Sequence, residues 1–185
     1  MVANVNNGVI FLVSIVLQLA LGVLVLRVLL QLVRADFYNP ISQLVWKLTQ
    51  PAIRPLQHVL PRYRTLDLAA LAVLFVLAVV YVEVLAWLWQ FQPGFGFALV
   101  QAALKVISLT LNLYTLCLFA QALLSWVGPG VSNPAANILW SLNEPLLRPV
   151  RRILPSIAGL DLSPVPVMIL LQVIDRLLPL SVYFH

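Results

Sequence analysis

Long apolar stretches alternate with shorter, proline-rich polar stretches along this chain of 185 residues. Four of the apolar stretches approach or exceed the roughly 20 residues that a helix needs to cross a bilayer. We predict spans at about 9–33, 68–89, 97–127 and 164–183. The two long connectors, 34–67 and 128–163, hold most of the prolines. The pattern therefore predicts an all-α membrane protein with four transmembrane helices.

The chain matches itself when it is shifted by 94 residues, with 12 identities in the 30 positions 39–68. So many identities without a gap indicate an internal duplication. Each half, 1–92 and 93–185, contains two predicted spans, so both halves have the same orientation. The matched residues include Asn39, Pro40, Arg54, Pro55 and Asp67 in the first copy, and Asn133, Pro134, Arg148, Pro149 and Asp161 in the second.

Each connector begins with an Asn-Pro pair that is followed by apolar residues at helical spacing. Asparagine is a favoured N-cap, and proline suits the first turn of a helix. In the first copy we predict an amphipathic helix near 40–50 that lies in the membrane surface and is ended or bent by Pro51. The second copy predicts an equivalent helix near 134–144, with Pro145 in the place of Pro51.

Two carboxylates precede the second and fourth predicted spans, and two arginines precede prolines in the connectors. Capping of the helix N-termini explains Asp67 and Asp161, and pairing with Arg54 and Arg148 is a compatible alternative. The two arginines suit either anionic lipid headgroups at the membrane surface or a specific protein or ligand.

Composition supports the membrane class, because 62% of the residues are apolar and only 9% are charged, against about 25% in soluble domains. A soluble domain, a disordered chain and a nucleic-acid-binding protein are therefore excluded, despite the net charge of +5. Most basic residues lie in the two long connectors, and none lies in 90–96. The positive-inside rule places the connectors in the cytoplasm and both termini on the outer side of the membrane.

Several polar side chains interrupt the predicted spans, and such residues are usually paired or functional. They are Gln18, Glu83, Lys105, Asn112, Asp175 and Arg176. Glu83 and Lys105 lie at equal distances on either side of the outer connector, so we predict that they form an ion pair, either directly or through one water. Asp175 and Arg176 either neutralise each other or face a neighbouring helix. Arg27, near the end of the first span, can extend to the membrane surface.

No residue pattern predicts catalysis. The histidines, the carboxylates and the single cysteine, Cys117, lack metal-ligand spacing, and no glycine-rich phosphate loop is present. We therefore predict no enzyme activity and no cofactor. Because Cys117 lies in an apolar run, we interpret it as a small buried residue.

The second connector ends in the sequence Gly-Leu-Asp-Leu-Ser-Pro at 159–164, and with the preceding proline series it resembles the YggT family, also called YlmG. The first copy departs from this pattern at Thr65, Ala69 and Ala70. The resemblance implies a bacterial inner-membrane protein without known catalysis. Relatives are linked to osmotic or salt tolerance, to cell division and envelope organisation, and in plastids to cytochrome maturation and nucleoid distribution.

Two hypotheses on function follow. The first is a non-catalytic membrane organiser whose basic interfacial helices bind anionic lipid headgroups and membrane protein partners, including further copies of itself. The second is a small oligomeric ion channel or transporter component for osmotic adaptation, in which the intramembrane polar residues line a path. The small number of polar residues favours the first.

Overall fold

The computed structural model describes residues 2–63, 65–92, 94–127, 133–153 and 161–184. Its helices, in chain order, are α1 (Val2–Leu32), α2 (Pro40–Gln57), α3 (Leu68–Leu88), α4 (Phe95–Val127), α5 (Pro134–Arg151) and α6 (Pro164–Leu177), followed by a 3-10 turn at Val182–Phe184. A small antiparallel hairpin, β1 (Arg62–Tyr63) with β2 (Leu66–Asp67), precedes α3. The prediction of a helical fold is therefore confirmed, and the hairpin and the 3-10 turn are elements that the sequence pattern did not predict.

Three of the described helices are long and apolar enough to cross a membrane. The qualifying segments are Asn7–Leu32 in α1, Leu68–Leu88 in α3 and Phe95–Ser125 in α4. Such helices are apolar on nearly all sides, as expected for segments surrounded by lipid and by other helices. The first three predicted spans are confirmed as helices, and Cys117 is buried as expected.

The fourth predicted span does not continue as a helix to residue 183. α6 ends at Leu177 after 14 residues, or about 21 Å, whereas a bilayer core is about 30 Å thick. Leu178 is extended, with ψ of 131°, because the following Pro179 disfavours the helical conformation of the residue before it. The chain then packs back against α3, and Phe184 is completely buried.

The amphipathic helices α2 and α5 are longer than predicted, with 18 residues each. Pro51 and Pro145 lie inside them, so of the two alternatives, that these prolines end or bend the helices, the first is wrong. Both prolines are exposed. Proline has no N–H, so the carbonyl four residues earlier, on the same face of the helix, loses its hydrogen bond. On the outer face this carbonyl can bind solvent or lipid headgroups instead.

The two halves of the chain pack in the same way. In the first half α2 packs against α1 and α3, and α1 packs against α3. In the second half α5 packs against α4 and α6, and α4 packs against α6. The halves meet where α4 contacts α1 and α3 and where α2 contacts α5.

Candidate functional site

A buried polar cluster fastens α2 to the spans of the first half. Arg27 on α1 donates through Nη1 to Thr49 Oγ1 at 2.7 Å and through Nη2 to Gln50 Oε1 at 2.9 Å. Its Nη2 also lies 3.7 Å from Asp67 Oδ2, and the two side chains are 3% and 2% exposed. The expectation that Arg27 extends to the membrane surface is wrong, because α2 lies over its guanidinium.

Asp67 joins the start of α3 to this cluster. Its Oδ1 accepts from the backbone N–H of Ala69 at 3.1 Å, so the predicted N-cap is confirmed. Its Oδ2 accepts from Gln57 Nε2 at 2.6 Å. The alternative pairing with Arg54 is wrong, since Arg54 is exposed on α2 and Arg27 is the cation beside this carboxylate.

The second half has polar contacts at the equivalent positions, one pair buried and the others partly exposed. Asn143 on α5 donates to Gln121 on α4 at 2.7 Å. Arg151 donates to Glu144 at 2.7 Å and to Asp161 at 2.9 Å. The predicted pairing of Asp161 with Arg148 is therefore wrong, and the latter is exposed.

Asp161 accepts from the backbone N–H of Ser163 at 3.0 Å, just before α6, whose N-cap position is Ser163 itself. The prediction that Asp161 is the N-cap of α6 is therefore wrong, although its carboxylate accepts a hydrogen bond from the residue that occupies this position. Partial burial raises the pKa of Asp161, but hydrogen bonds from Ser163 and Arg151 and the Arg151 charge outweigh it and hold the pKa below its ordinary 3.8. The cluster therefore contains an ionised carboxylate at neutral pH.

The two clusters occupy equivalent positions of the repeat but carry different chemistry. The equivalent pairs are Arg27 with Gln121, Thr49 with Asn143, Gln50 with Glu144, Gln57 with Arg151 and Asp67 with Asp161. The cation that neutralises the carboxylate is on α1 in the first half and on α5 in the second. Sequence reasoning missed these clusters, although the shift of 94 residues aligns polar residues with polar residues at every one of these positions.

The helix-capping asparagines act as predicted and also join the halves. Asn39 accepts from Ile41 N at 2.9 Å, and Asn133 accepts from Ala136 N at 2.7 Å. In addition, Asn39 Nδ2 donates to the carbonyl oxygen of Pro134 at 2.7 Å. The starts of α2 and α5 are therefore fixed to one another.

Amide side chains within the spans link neighbouring helices. Gln18 donates to the Tyr81 hydroxyl at 2.9 Å, and Asn112 donates to Asp175 Oδ2 at 3.1 Å. Tyr81 and Asp175 are themselves equivalent in the repeat. Asp175 thus faces a neighbouring helix, one of the two alternatives, while Arg176 is exposed.

The predicted ion pair between Glu83 and Lys105 is wrong. Lys105 is 3% exposed; its Nζ donates to the Phe184 carbonyl oxygen at 2.7 Å and lies 4.8 Å from the centre of the Tyr81 ring. Glu83 is exposed. The segment after α6 supplies the acceptor for Lys105. Because this acceptor is a backbone carbonyl, the pattern of charged side chains could not predict it.

Four basic residues are exposed on α2, on α5 and at the position directly after α5. The exposed ones are Lys47, Arg54, Arg148 and Arg152. Exposed apolar residues accompany them, including Leu44 and Leu48 on α2 and Trp140 on α5. Among the described residues, no group of three or more histidine, cysteine, aspartate or glutamate side chains could hold a metal ion.

These features define a helical protein with three candidate membrane spans, in which a basic amphipathic helix in each half is fastened to the spans by buried polar contacts. The chain belongs to the CCB3/YggT family, which matches residues 6–88 and 100–182 as two repeats. The family resemblance of the sequence is thereby confirmed.

Bacterial relatives match over nearly the full chain. The protein YggT of Escherichia coli K12, described as uncharacterized, is 41% identical over 169 residues, which cover 91% of this chain and 88% of that protein. An uncharacterized protein of Pseudomonas aeruginosa is 37% identical over 180 residues, covering 94% of this chain and 89% of the relative. No solved structure matches the chain.

Proposed function

We propose that this chain is a non-catalytic inner-membrane protein that organises membrane or envelope processes, such as osmotic tolerance, cell division or membrane-protein assembly. In this proposal α2 and α5 lie at the cytoplasmic membrane surface. Their exposed arginines bind anionic lipid headgroups and membrane protein partners, including further copies of the chain.

The observation that carries the proposal is the way in which α2 and α5 are held. Each helix is fastened to the spans by its inner polar residues, Thr49 and Gln50 on α2 and Asn143 on α5. Each leaves its equivalent outer arginine, Arg54 or Arg148, exposed. Basic residues near an anionic leaflet contribute about 1 kcal/mol each to surface attraction. Two helices fixed in this way form a rigid basic platform.

The proposal also includes the topology. Both repeats have the same orientation, α6 and the segment after it complete a fourth crossing, and both termini lie in the periplasm. Exposed apolar residues on α6, such as Ile169, Leu170 and Leu177, suit contact with lipid or with a second copy of the chain.

The topology predicts that Val59 and Ile153 lie on the same side of the membrane. They are equivalent positions of the repeat, and they are 80% and 79% exposed. In a Cys117→Ala background, we expect cysteines at 59 and 153 to be protected from an impermeant maleimide in spheroplasts and labelled after the membrane is opened. A cysteine at the exposed Phe95 is the control and should label in intact spheroplasts. Labelling of 59 and 153 from opposite sides would overturn the parallel arrangement.

If the exposed arginines of α2 and α5 bind lipid headgroups and partners, Arg54→Glu combined with Arg148→Glu weakens this binding without preventing insertion of the chain into the membrane. Loss of two cations and gain of two anions should reduce retention of anionic lipid about tenfold or more, because neither arginine has an ion-pair partner within 4 Å among the described residues. Native mass spectrometry of the purified protein measures retained lipid, and crosslinking in membranes measures partners. Arg54→Lys with Arg148→Lys is the charge-preserving control. Equal lipid retention and equal crosslinking in the Glu variant and the wild type would contradict the proposal.

The alternative, a channel or transporter component, depends on the intramembrane polar residues. Gln18, Asn112 and Lys105 each make hydrogen bonds between segments of the chain, and this structural role accounts for them. Ion flux into proteoliposomes that Lys105→Met abolishes would favour the alternative.

A further inference from the structure

A cavity of about 140 Å³ lies between α1 and α2, next to the end of α1. It is much larger than the roughly 15 Å³ that one water needs and smaller than the roughly 300 Å³ of a typical small-molecule site. A group of a few heavy atoms therefore fits it. The polar and aromatic residues that line it are Arg27, Gln31, Arg34, Phe37, Ser42 and Trp46.

Two residues that line the cavity each carry a buried polar atom that has no hydrogen-bond partner in the part of the chain that the structure describes. These atoms are Ser42 Oγ and Gln31 Oε1, both fully shielded from solvent, and Ser42 as a residue is only 8% exposed. A buried polar group without a partner is unfavourable. A ligand that offers an acceptor to the serine hydroxyl and a donor to the glutamine carbonyl would satisfy both.

The charge available at this cavity comes from Arg34, which is exposed and has a φ of +54°. The residue occupies the left-handed position that ends α1, where Ala35 N donates back to Leu30 O at 2.9 Å. Glycine is the usual residue at this position, since other residues are disfavoured with positive φ. Arg27 is already engaged with Thr49 and Asp67, so we assign the ligand's negative charge to Arg34.

The second repeat has other residues at the positions of these polar side chains. At the positions equivalent to Gln31, Arg34 and Ser42, the second copy has Ser125, Gly128 and Ala136. The second copy thus has the glycine that favours the turn and lacks the polar residues that line the cavity. The cavity chemistry belongs to the first repeat alone, as expected for a binding site added to a duplicated scaffold.

We propose that this cavity binds the phosphodiester headgroup of a phospholipid that ends in a hydrogen-bond donor, such as ethanolamine or glycerol. Arg34 and Ser42 bind the phosphate oxygens, and Gln31 Oε1 accepts from the terminal ammonium or hydroxyl group. Arg34 lies just beyond Leu32, where the apolar part of α1 ends. In the proposed membrane orientation of α1, on which this site rests, Arg34 lies at the depth of the lipid headgroups.

The aromatic border of the cavity supports a lipid as the source of the phosphodiester. Phe37 and Trp46 pack edge to face at 6.1 Å and remain 55% and 41% exposed. Aromatic residues of this kind concentrate at the membrane interface. A soluble phosphodiester would make no use of this exposed apolar border.

The test is native mass spectrometry of the full chain in detergent with phosphatidylethanolamine, phosphatidylglycerol or phosphatidylcholine added separately. We expect the first two to bind at least about fivefold more tightly than phosphatidylcholine, because choline has no N–H or O–H to donate. Arg34→Gly and Ser42→Ala, which introduce the second repeat's own residues, should keep the thermal stability and weaken binding about tenfold. Gln31→Ser should remove the preference over choline.

Arg176→Gln, which removes another exposed guanidinium, is the matched control and should bind all three lipids like the wild type. Equal binding of the three lipids, or wild-type binding by Arg34→Gly, would overturn the assignment. Competition by soluble glycerophosphoethanolamine as strong as that by the intact lipid would identify a free phosphodiester and overturn the lipid source. Loss of surface binding in the Arg54 and Arg148 variant with normal binding by Arg34→Gly would contradict this site while leaving the proposed function intact.

Discussion

Replacing Arg27 with glutamine is expected to lower the free energy of unfolding by about 3–5 kcal/mol. The change leaves the carboxylate of Asp67, which is 2% exposed, without its cation. It also removes the donors to Thr49 and Gln50. Denaturant unfolding in mixed micelles, followed by tryptophan fluorescence, measures the loss.

The second repeat shows how this loss can be reversed. There glutamine occupies the position of Arg27, and Arg151 neutralises the carboxylate from the position of Gln57. Since Gln57 Nε2 already lies 2.6 Å from Asp67, arginine at this position reaches the same carboxylate. We expect Gln57→Arg to recover most of the stability lost in Arg27→Gln. Gln43→Arg, on the exposed surface of the same helix, is the control and should recover none. Equal recovery by both arginines, or unchanged stability of Arg27→Gln, would refute the equivalence of the clusters.

Deleting residues 182–185 is the second change with a large expected effect. It removes the burial of Phe184 and the carbonyl that accepts from Lys105 and Tyr81. Loss of the apolar contact and of a hydrogen bond to a buried cation should together lower the free energy of unfolding by about 3–6 kcal/mol. The same unfolding measurement applies.

Lys105→Met separates the two contributions. In this background the deletion should cost about 1.5–3 kcal/mol less than in the wild type, because no buried ammonium group is left without an acceptor. Phe184→Ala keeps the carbonyl and should show no such coupling, and Glu83→Gln, at an exposed position, should be nearly neutral. An additive effect of the deletion and Lys105→Met would refute the role assigned to the carbonyl.

The features that the sequence determined by itself are those that rest on local or periodic signals. Asn39, Asp67 and Asn133 cap helices because each cap is decided within a few residues of the chain. The first three spans follow from apolar length alone. The repeat follows from identities at one constant shift, and with it the equivalence of the packing in the two halves.

Only the tertiary structure decided which polar groups meet. Equal depth suggested that Glu83 pairs with Lys105, but depth does not determine the direction in which a side chain leaves its helix. Arg27 was expected to extend to the membrane surface, whereas α2 folds over it. Both errors have one physical cause: in a membrane protein, buried polar residues find partners on segments distant in sequence, and the acceptor can be a backbone carbonyl that every residue possesses.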